Sequence, residues 1–246
     1  MRAFRREGDA LVAEVDPGER EVLATVVADV AELLGGGRLE ERARATGRAA
    51  ATDDAAPAMR LRLDPLPTPD DPAVHRLLPD ASRDDADVAA EFRRLTEDDL
   101  RQQKIERLAE LFDALTAPDD AVVPDEPADD SRRSRRHRVR HAGAGTVRVA
   151  RDRGPALAAT LTDIRLVLGE RLGVTDEHAS DALEREVVRG RADADAEAQA
   201  RQYLGSVFLA LGWWQETLMA CLLADLPDRP DRPGRPGPGT GLGSGS

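Results

Sequence analysis

The stretch Asp84–Leu115, DDADVAAEFRRLTEDDLRQQKIERLAELFDAL, carries the strongest helical pattern in the chain and decides the fold class. Its apolar residues recur at intervals of three and four, the spacing of one helix face: Val88, Phe92, Leu95, Ile105, Leu108, Leu111, Phe112 and Leu115. Thr96 and Asp99 form a capping-box-like pair, which indicates that the helix restarts there. We therefore predict a long helical region with one continuous apolar face.

Helix signals lie on both sides of this stretch. Asp16 as a cap followed by Pro17 predicts the start of a helix that ends at Gly35. Asp71 with Pro72 predicts the start of a short one in the same way. Further helices are predicted from about Pro155 to Leu172, over TDEHASDALEREVVRG (175–190), and from about Glu197 to Asp225. Most of the chain is therefore expected to be helical.

Two regions have strand character. Residues 1–16, MRAFRREGDALVAEVD, alternate in polarity around a Gly8-Asp9 turn, which predicts a β-hairpin. GTVRVA, residues 145–150, is a candidate for one further short strand. The predicted fold class is mainly α, a helical bundle with a short N-terminal β-hairpin and this additional strand.

Composition divides the chain into four parts. Residues 1–116 hold the hairpin and the first helices, and residues 143–225 hold the C-terminal helices, which we expect to pack on the first part. Proline and dense charge predict a disordered linker over residues 117–142. Proline, glycine and serine predict a disordered tail over residues 226–246.

Charge and cysteine content limit the class of protein. The net charge of −12 gives a field that repels phosphate backbones, so broad affinity for nucleic acid is not expected. Cys221 is the single cysteine, which excludes an intrachain disulfide and fits a reducing compartment. The N-terminus lacks the apolar region of a secretion signal. The most apolar run, Val207–Leu223, is interrupted by Gln215 and Glu216 and is too short to span a bilayer. We predict a cytoplasmic protein without a membrane segment.

Motifs of catalysis and cofactor binding are not found. The sequence has no phosphate-binding loop, zinc-protease motif, nucleophile elbow or paired cysteines. His137 and His141 have a spacing that could bind zinc on a helix, but six neighbouring arginines disfavour a dication. His75 has no second ligand at metal-site spacing. We therefore predict no catalytic, metal or cofactor residues and a protein that is not an enzyme; an unrecognised hydrolase, based only on scattered carboxylates, is the alternative of another class.

The first candidate contact site is a run of basic residues in the predicted linker. Its six arginines could contact an acidic protein or nucleic acid: Arg132, Arg133, Arg135, Arg136, Arg138 and Arg140. The preceding block, residues 117–130, carries six acidic residues, so the linker can also neutralise itself. No aromatic residue interleaves the run for base stacking. Both readings stay open on the sequence alone.

The second candidate contact site is the last predicted helix. Gly205 and Gly212 are seven residues apart on nearly one face and permit close approach by another helix. Trp213 and Trp214 are adjacent, so they point about 100° apart and are not expected to enter one pocket. The helix is either the central core element or presents a tryptophan to a partner protein or a second copy, so a homodimer is one alternative.

Three segments together resemble an actinobacterial domain-of-unknown-function family typified by the AosR oxidative-stress transcriptional regulators, whose genes commonly neighbour the Clp adaptor gene. They are residues 71–108, which include the specific stretch FRRLTEDDL, and the segments LTDIRLVLGERLGV and LGWWQETLMACLL. The N-terminal GEREVLATVVADVAELL fits as well, so the resemblance covers most of residues 1–224. It implies a helical domain that regulates transcription, without enzymatic activity, and a transcription component as the expected partner. Redox sensing through a disulfide would have to pair Cys221 between chains.

Overall fold

The helices and strands of the chain are described by a computed structural model over residues 1–39, 41, 68–118, 145–190 and 195–224. The mainly α fold with a small sheet is confirmed. In chain order the elements are β1 (Arg5–Glu7), β2 (Ala10–Val15), α1 (Pro17–Leu33), α2 (Pro72–Leu77), α3 (Ala86–Thr116), β3 (Gly145–Ala150), α4 (Gly154–Leu172), α5 (Glu177–Arg189) and α6 (Ala196–Leu223). A 3₁₀ turn, Arg151–Arg153, joins β3 to α4.

The sheet has the order β1-β2-β3 and is antiparallel throughout. Both predicted strand regions are therefore confirmed, and β3 pairs with the whole length of β2. Alternation places Leu11, Ala13 and Val15 in the core, where Ala13 lies opposite Val147. The outer face carries ion pairs such as Arg5 with Glu14. Because β3 lies far along the chain from β2, the sheet joins the N-terminal and C-terminal parts.

Aspartate is the N-cap residue of five of the six described helices, and its side chain accepts a capping hydrogen bond in four of them. The backbone N–H of Asp16 donates to Glu19 Oε2 over 3.1 Å as α1 begins, and Pro17 is the first helical residue. The Asp71 carboxylate accepts from the backbone N–H of Ala73, so the predicted start of α2 is confirmed. The same cap recurs on three further helices, at Asp85, Asp176 and Asp195. Local chemistry thus sets where these helices begin.

The core forms around α4, which packs against α1, α2, α3 and α6. α3 also packs along α1, and α5 lies against α6. The fully buried side chains come from both halves of the chain: Leu11, Leu34, Leu108, Leu115, Leu161, Ile164, Leu183, Leu211, Trp214 and Leu218. One hydrophobic cluster therefore includes residues from Phe4 to Leu218.

The prediction of one continuous apolar face on α3 is wrong. The helix runs from Ala86 to Thr116 without a restart, and the Thr96 hydroxyl donates back to the Phe92 carbonyl. From Leu95 to Leu108 the helix turns by about 220° beyond whole turns, so these residues lie on opposite sides. Accordingly Leu108 is buried, whereas the three N-terminal apolar residues are about half exposed: Val88 53%, Phe92 47% and Leu95 61%.

Charged side chains occupy the inner side of the N-terminal half of α3. Arg93 and Glu97 are buried there. Arg93 pairs with Asp80, and its Nε lies 3.4 Å from Glu97 Oε2. Arg101 pairs with the other oxygen of Glu97 at 2.5 Å and donates to the Leu34 carbonyl at 3.1 Å. These contacts anchor this half of α3 by ion pairs and hydrogen bonds.

A second buried ion-pair cluster joins α3 to α4. Asp163 of α4 is 5% exposed, and its two carboxylate oxygens face two cations of α3. Lys104 Nζ lies 2.6 Å from Oδ1, and Arg107 Nη2 lies 3.3 Å from Oδ2. Because Asp163 is buried and both of its partners lie on α3, it constrains how the two helices pack.

Candidate protein-contact surface

The two tryptophans of α6 point in different directions, as predicted. Trp214 is fully buried and stacks on Phe4 with ring centroids 4.6 Å apart and an interplanar angle of 26°. Trp213 is 45% exposed. The sequence indicated that the two side chains diverge, and the structure shows which one reaches solvent. Trp214 belongs to the core, so only Trp213 of this pair is available to a partner.

Trp213 belongs to an exposed face of α6, which we call the α6 outer face. Its members are exposed residues of the helix: Tyr203, Ser206, Trp213, Glu216, Met219, Ala220 and Leu223. Glu216 is the single charged residue of the chain between Tyr203 and Leu223. An aromatic and aliphatic face with one charge is typical of the centre of a protein interface. The opposite side of the same helix packs on α4.

A cleft of about 970 Å³ lies at the C-terminal end of the α6 outer face. Its walls are mainly apolar and come from α4, α6 and the end of β3: Ala150, Pro155, Ala158, Met219, Leu222 and Leu223. Asp9, Arg151 and Asp152 also line it. Because Met219 and Leu223 belong to both features, the cleft and the α6 outer face form one surface. The cleft has the size of pockets that accept a small molecule or several side chains of a partner.

Contacts between α4 and α6 hold the surface around Trp213. The Arg165 guanidinium lies over the Phe208 ring, 5.1 Å from its centroid. Arg165 Nη1 donates to Gln215 Oε1 at 2.9 Å, and Gln215 Nε2 donates to Thr162 Oγ1 at 2.7 Å. These side chains connect the helices on both sides of Trp213 along the chain. The face is therefore organised before a partner arrives, which lowers the entropic cost of binding.

Both glycines of α6 lie close to a neighbouring helix, as predicted, but Gly205 lies against α5 and Gly212 against α4. A Cβ at Gly205 would lie 2.8 Å from Val187 Cγ2 and 3.0 Å from a Leu183 methyl carbon, both on α5. A Cβ at Gly212 would lie 3.4 Å from the guanidinium carbon of Arg165 on α4. The first glycine thus meets packed apolar side chains, and the second meets the end of a long polar one.

Among the described residues, the other candidates do not form a cluster of reactive or metal-binding side chains. The six arginines of the basic run, together with His137 and His141, lie outside the described residues. His75 Nε2 is 3.2 Å from Asp80 Oδ2. Within the described ranges, no group of three or more His, Cys, Asp or Glu side chains could hold a metal ion. Cys221 is half-buried, and its thiol donates to the Phe4 carbonyl at 3.3 Å.

The length and composition of α6 raise the question of a membrane span. The run Val207–Leu223 was expected to be too short to span a bilayer, but it lies within the longer helix α6, Ala196–Leu223. Among the described helices, α6 is the one long and apolar enough to cross a bilayer, by length and composition only. The core helix of a soluble protein meets the same criterion, and α6 buries Phe208, Leu211, Trp214 and Leu218 against the rest of the fold. Length and composition alone are therefore weak evidence for a membrane span.

The fold and the surface together define a mainly α domain with a small antiparallel sheet and an exposed apolar contact face. The chain belongs to the family described as domain of unknown function DUF2017, whose model matches residues 1–222. The match spans the described elements from β1 into α6. Searches of curated proteins and of solved structures each gave no significant match.

Proposed function

We propose that this protein is a non-enzymatic, cytoplasmic regulator that acts in the transcriptional response to stress through contacts with a protein partner. The observation that carries the proposal is the α6 outer face, where Trp213 is nearly half exposed on the helix whose C-terminal end lines an apolar cleft. Tryptophan is among the residues most enriched at energetic centres of interfaces. Packing in the hydrophobic core does not explain why the Trp213 side chain lies in solvent.

The regulatory part of the proposal rests on the resemblance to the AosR regulators. That resemblance runs through the LGWWQETLMACLL segment, which contains Trp213 and the C-terminal part of the α6 outer face. The expected partner is a component of the transcription machinery. The net charge of −12 supports a role through protein contacts, because a protein of this charge is repelled by nucleic acid over most of its surface.

The test compares three versions of the purified chain as bait for a purified transcription complex. Trp213→Ala removes the exposed ring, and Val188→Ala removes an exposed apolar side chain of α5 as a matched control. We expect the wild type and Val188→Ala to retain a defined component of the complex and Trp213→Ala to weaken retention at least tenfold, as for an interface centre. Equal retention by all three versions, or by none, would contradict the proposal.

Direct DNA binding through the arginine run is the competing mechanism, and a salt titration separates the two. We expect weak binding to duplex DNA that disappears at physiological salt, because the neighbouring acidic block competes for the arginines. Sequence-specific binding at physiological salt would overturn this expectation. The decisive variant then replaces four residues of the run with alanine and should abolish that binding: Arg132, Arg133, Arg135 and Arg136.

A further inference from the structure

The basic residues of α3 are directed towards partners within the protein. Four of them join the inner ion pairs described above: Arg93, Arg101, Lys104 and Arg107. The fifth, Arg94, pairs with Glu91 on the same helix. All five side chains are less than one-third exposed. The positive charges of this helix are therefore largely neutralised locally.

The acidic residues of α3 have the opposite distribution. Glu97 is buried, but the acidic side chains on the other side of the helix are exposed: Asp99, Glu106, Glu110 and Asp113. Some of them have contacts, such as Glu110 with Arg153 and Glu106 with Gln102. These contacts leave the carboxylates at the surface, although Arg153 offsets the charge of Glu110. The helix thus presents a band of negative charge to solvent.

The acidic band continues an exposed apolar stripe along one side of the helix. Val88, Phe92 and Leu95 precede Asp99, and the spacing of three and four residues keeps all of them on one face. We call these three apolar and four acidic residues the α3 outer face. From Val88 to Leu95 the stripe is about 10 Å long, and the acidic band to Asp113 adds about 27 Å.

The apolar stripe cannot turn inward, because the side opposite to it is already anchored. Arg93 and Glu97 are buried on that side, and breaking a buried ion pair costs about 3–5 kcal/mol. Half-exposed valine, phenylalanine and leucine at helical spacing form a contiguous apolar surface. The exposure of this stripe is therefore built into the fold.

The negative charge of the α3 outer face determines which kinds of molecule can bind to it. A second copy would bring a like-charged band against it, and nucleic acid would bring phosphates, so both are repelled. A segment with apolar side chains at one end and lysine or arginine along the rest complements both parts of the face. A helix of about 25 residues would span its length of roughly 38 Å.

We propose that the α3 outer face docks a basic amphipathic helix of a protein partner. The apolar residues of that helix cover Val88, Phe92 and Leu95, and its basic residues lie along the acidic band. This surface shares no residue with the α6 outer face. Peptide binding to the α3 outer face can therefore be tested independently of the function proposed for Trp213.

The test uses the full chain and two designed helical peptides of about 25 residues with equal positive charge. One peptide places leucines at helical spacing at one end and arginines on the same face beyond them; the other has the same composition in scrambled order. Binding is followed by fluorescence anisotropy of the labelled peptide at low and physiological salt. We expect the patterned peptide to bind at least tenfold more tightly than the scrambled one.

Variants locate the binding on the chain. Phe92→Ala and Glu106→Lys should each weaken binding of the patterned peptide several-fold, and the effect of Glu106→Lys should shrink as salt screens the charge. Val188→Ala and Glu184→Lys, which change exposed residues elsewhere, should leave it unchanged. All four positions are at the surface, and circular dichroism checks that the variants fold.

Three results would overturn the inference. The first is equal binding of the two peptides, which would mean that charge alone attracts them. The second is binding that Phe92→Ala does not weaken. The third is a dimer in sedimentation that Phe92→Ala dissociates, which would mean that a second copy covers the face. In each case the retention assay with Trp213→Ala still reports separately on the α6 outer face.

Discussion

Two glycines of α6 should respond in opposite ways to the same substitution. Gly205→Ala and Gly212→Ala each add one methyl group within the same helix. In a helix interior this change stabilises by about 0.5–1 kcal/mol, because alanine loses less conformational entropy than glycine on folding. That gain is common to both variants, so any difference between them reports on what the added methyl meets.

The surroundings of the two methyl groups predict the size of the difference. At Gly205 the Cβ would lie 2.8 Å from Val187 Cγ2, which is closer than carbon atoms can pack, and the neighbouring Leu183 is fully buried. Overpacking of this kind costs about 1–3 kcal/mol. At Gly212 the nearest atoms belong to the Arg165 guanidinium at 3.4 Å, which can move by a few tenths of an ångström. Gly205→Ala should therefore be less stable than Gly212→Ala by about 1–3 kcal/mol.

Urea unfolding followed by circular dichroism at 222 nm measures this difference. With a slope of about 2–3 kcal/mol per molar urea, the unfolding midpoints of the two variants should differ by roughly 0.3–1.5 M. Gly212→Ala should unfold at or above the wild-type midpoint, and Gly205→Ala below it. Equal midpoints, or a higher midpoint for Gly205→Ala, would refute the assignment of Gly205 to a tight contact with α5.

Three further outcomes are expected. Asp163→Asn leaves two cations facing a neutral amide in a buried site, so the free energy of unfolding in urea should fall by about 3–5 kcal/mol; a change below about 1 kcal/mol would contradict the buried-pair assignment. The hydrogen bond from Arg171 lowers the pKa of Asp71, so its ionised form stabilises the fold at neutral pH and this stabilisation is lost as the pH falls through the folded-state pKa. A carboxyl NMR titration of Asp71 should have its midpoint below that of an unperturbed aspartate, and Arg171→Ala should raise it. Cys221 should react more slowly with a thiol reagent in the native protein than in urea; equal rates, or a peroxide-induced dimer that Cys221→Ala abolishes, would support a redox switch between subunits instead.

Local signals in the sequence identified the elements well, since caps and turns depend on a few neighbouring residues. Asp16 with Pro17 and Asp71 with Pro72 begin helices as expected, and Gly173 ends α4 with a φ of 70°. The antiparallel partner of β3 could not be predicted in this way. Pairing between residues 10–15 and 145–150 depends on the tertiary fold and leaves no local pattern.

The error on α3 has a physical origin. The apolar residues up to Leu95 and those from Ile105 on each have helical spacing, but the helix turns by about 220° beyond whole turns from Leu95 to Leu108, so the two sets lie on different faces. The pattern does not show which of the two faces meets the core. Val88, Phe92 and Leu95 recur at intervals of three and four residues, as do Leu108, Leu111 and Leu115. Only the second set packs in the core, whereas buried charges occupy the inner side of the helix near the first set. The candidate surface was predicted only in part for the same reason. The diverging tryptophans followed from helix geometry, whereas the cleft requires Asp9, Ala150 and Met219 to meet in space.

The contact between the first strand region and the last helix has a consequence for the synthesis of the protein on the ribosome. Phe4 stacks on Trp214, and its backbone N–H donates to the Thr217 hydroxyl, 213 residues along the chain. A contact of such long sequence separation closes late, because the loop entropy must be overcome first. Until α6 leaves the ribosome, the ring of Phe4 and the core face of β2 lack their final cover. The nascent chain must therefore keep this apolar surface from aggregating from the synthesis of β2 until α6 emerges, and this is the stage at which a chaperone would contribute most.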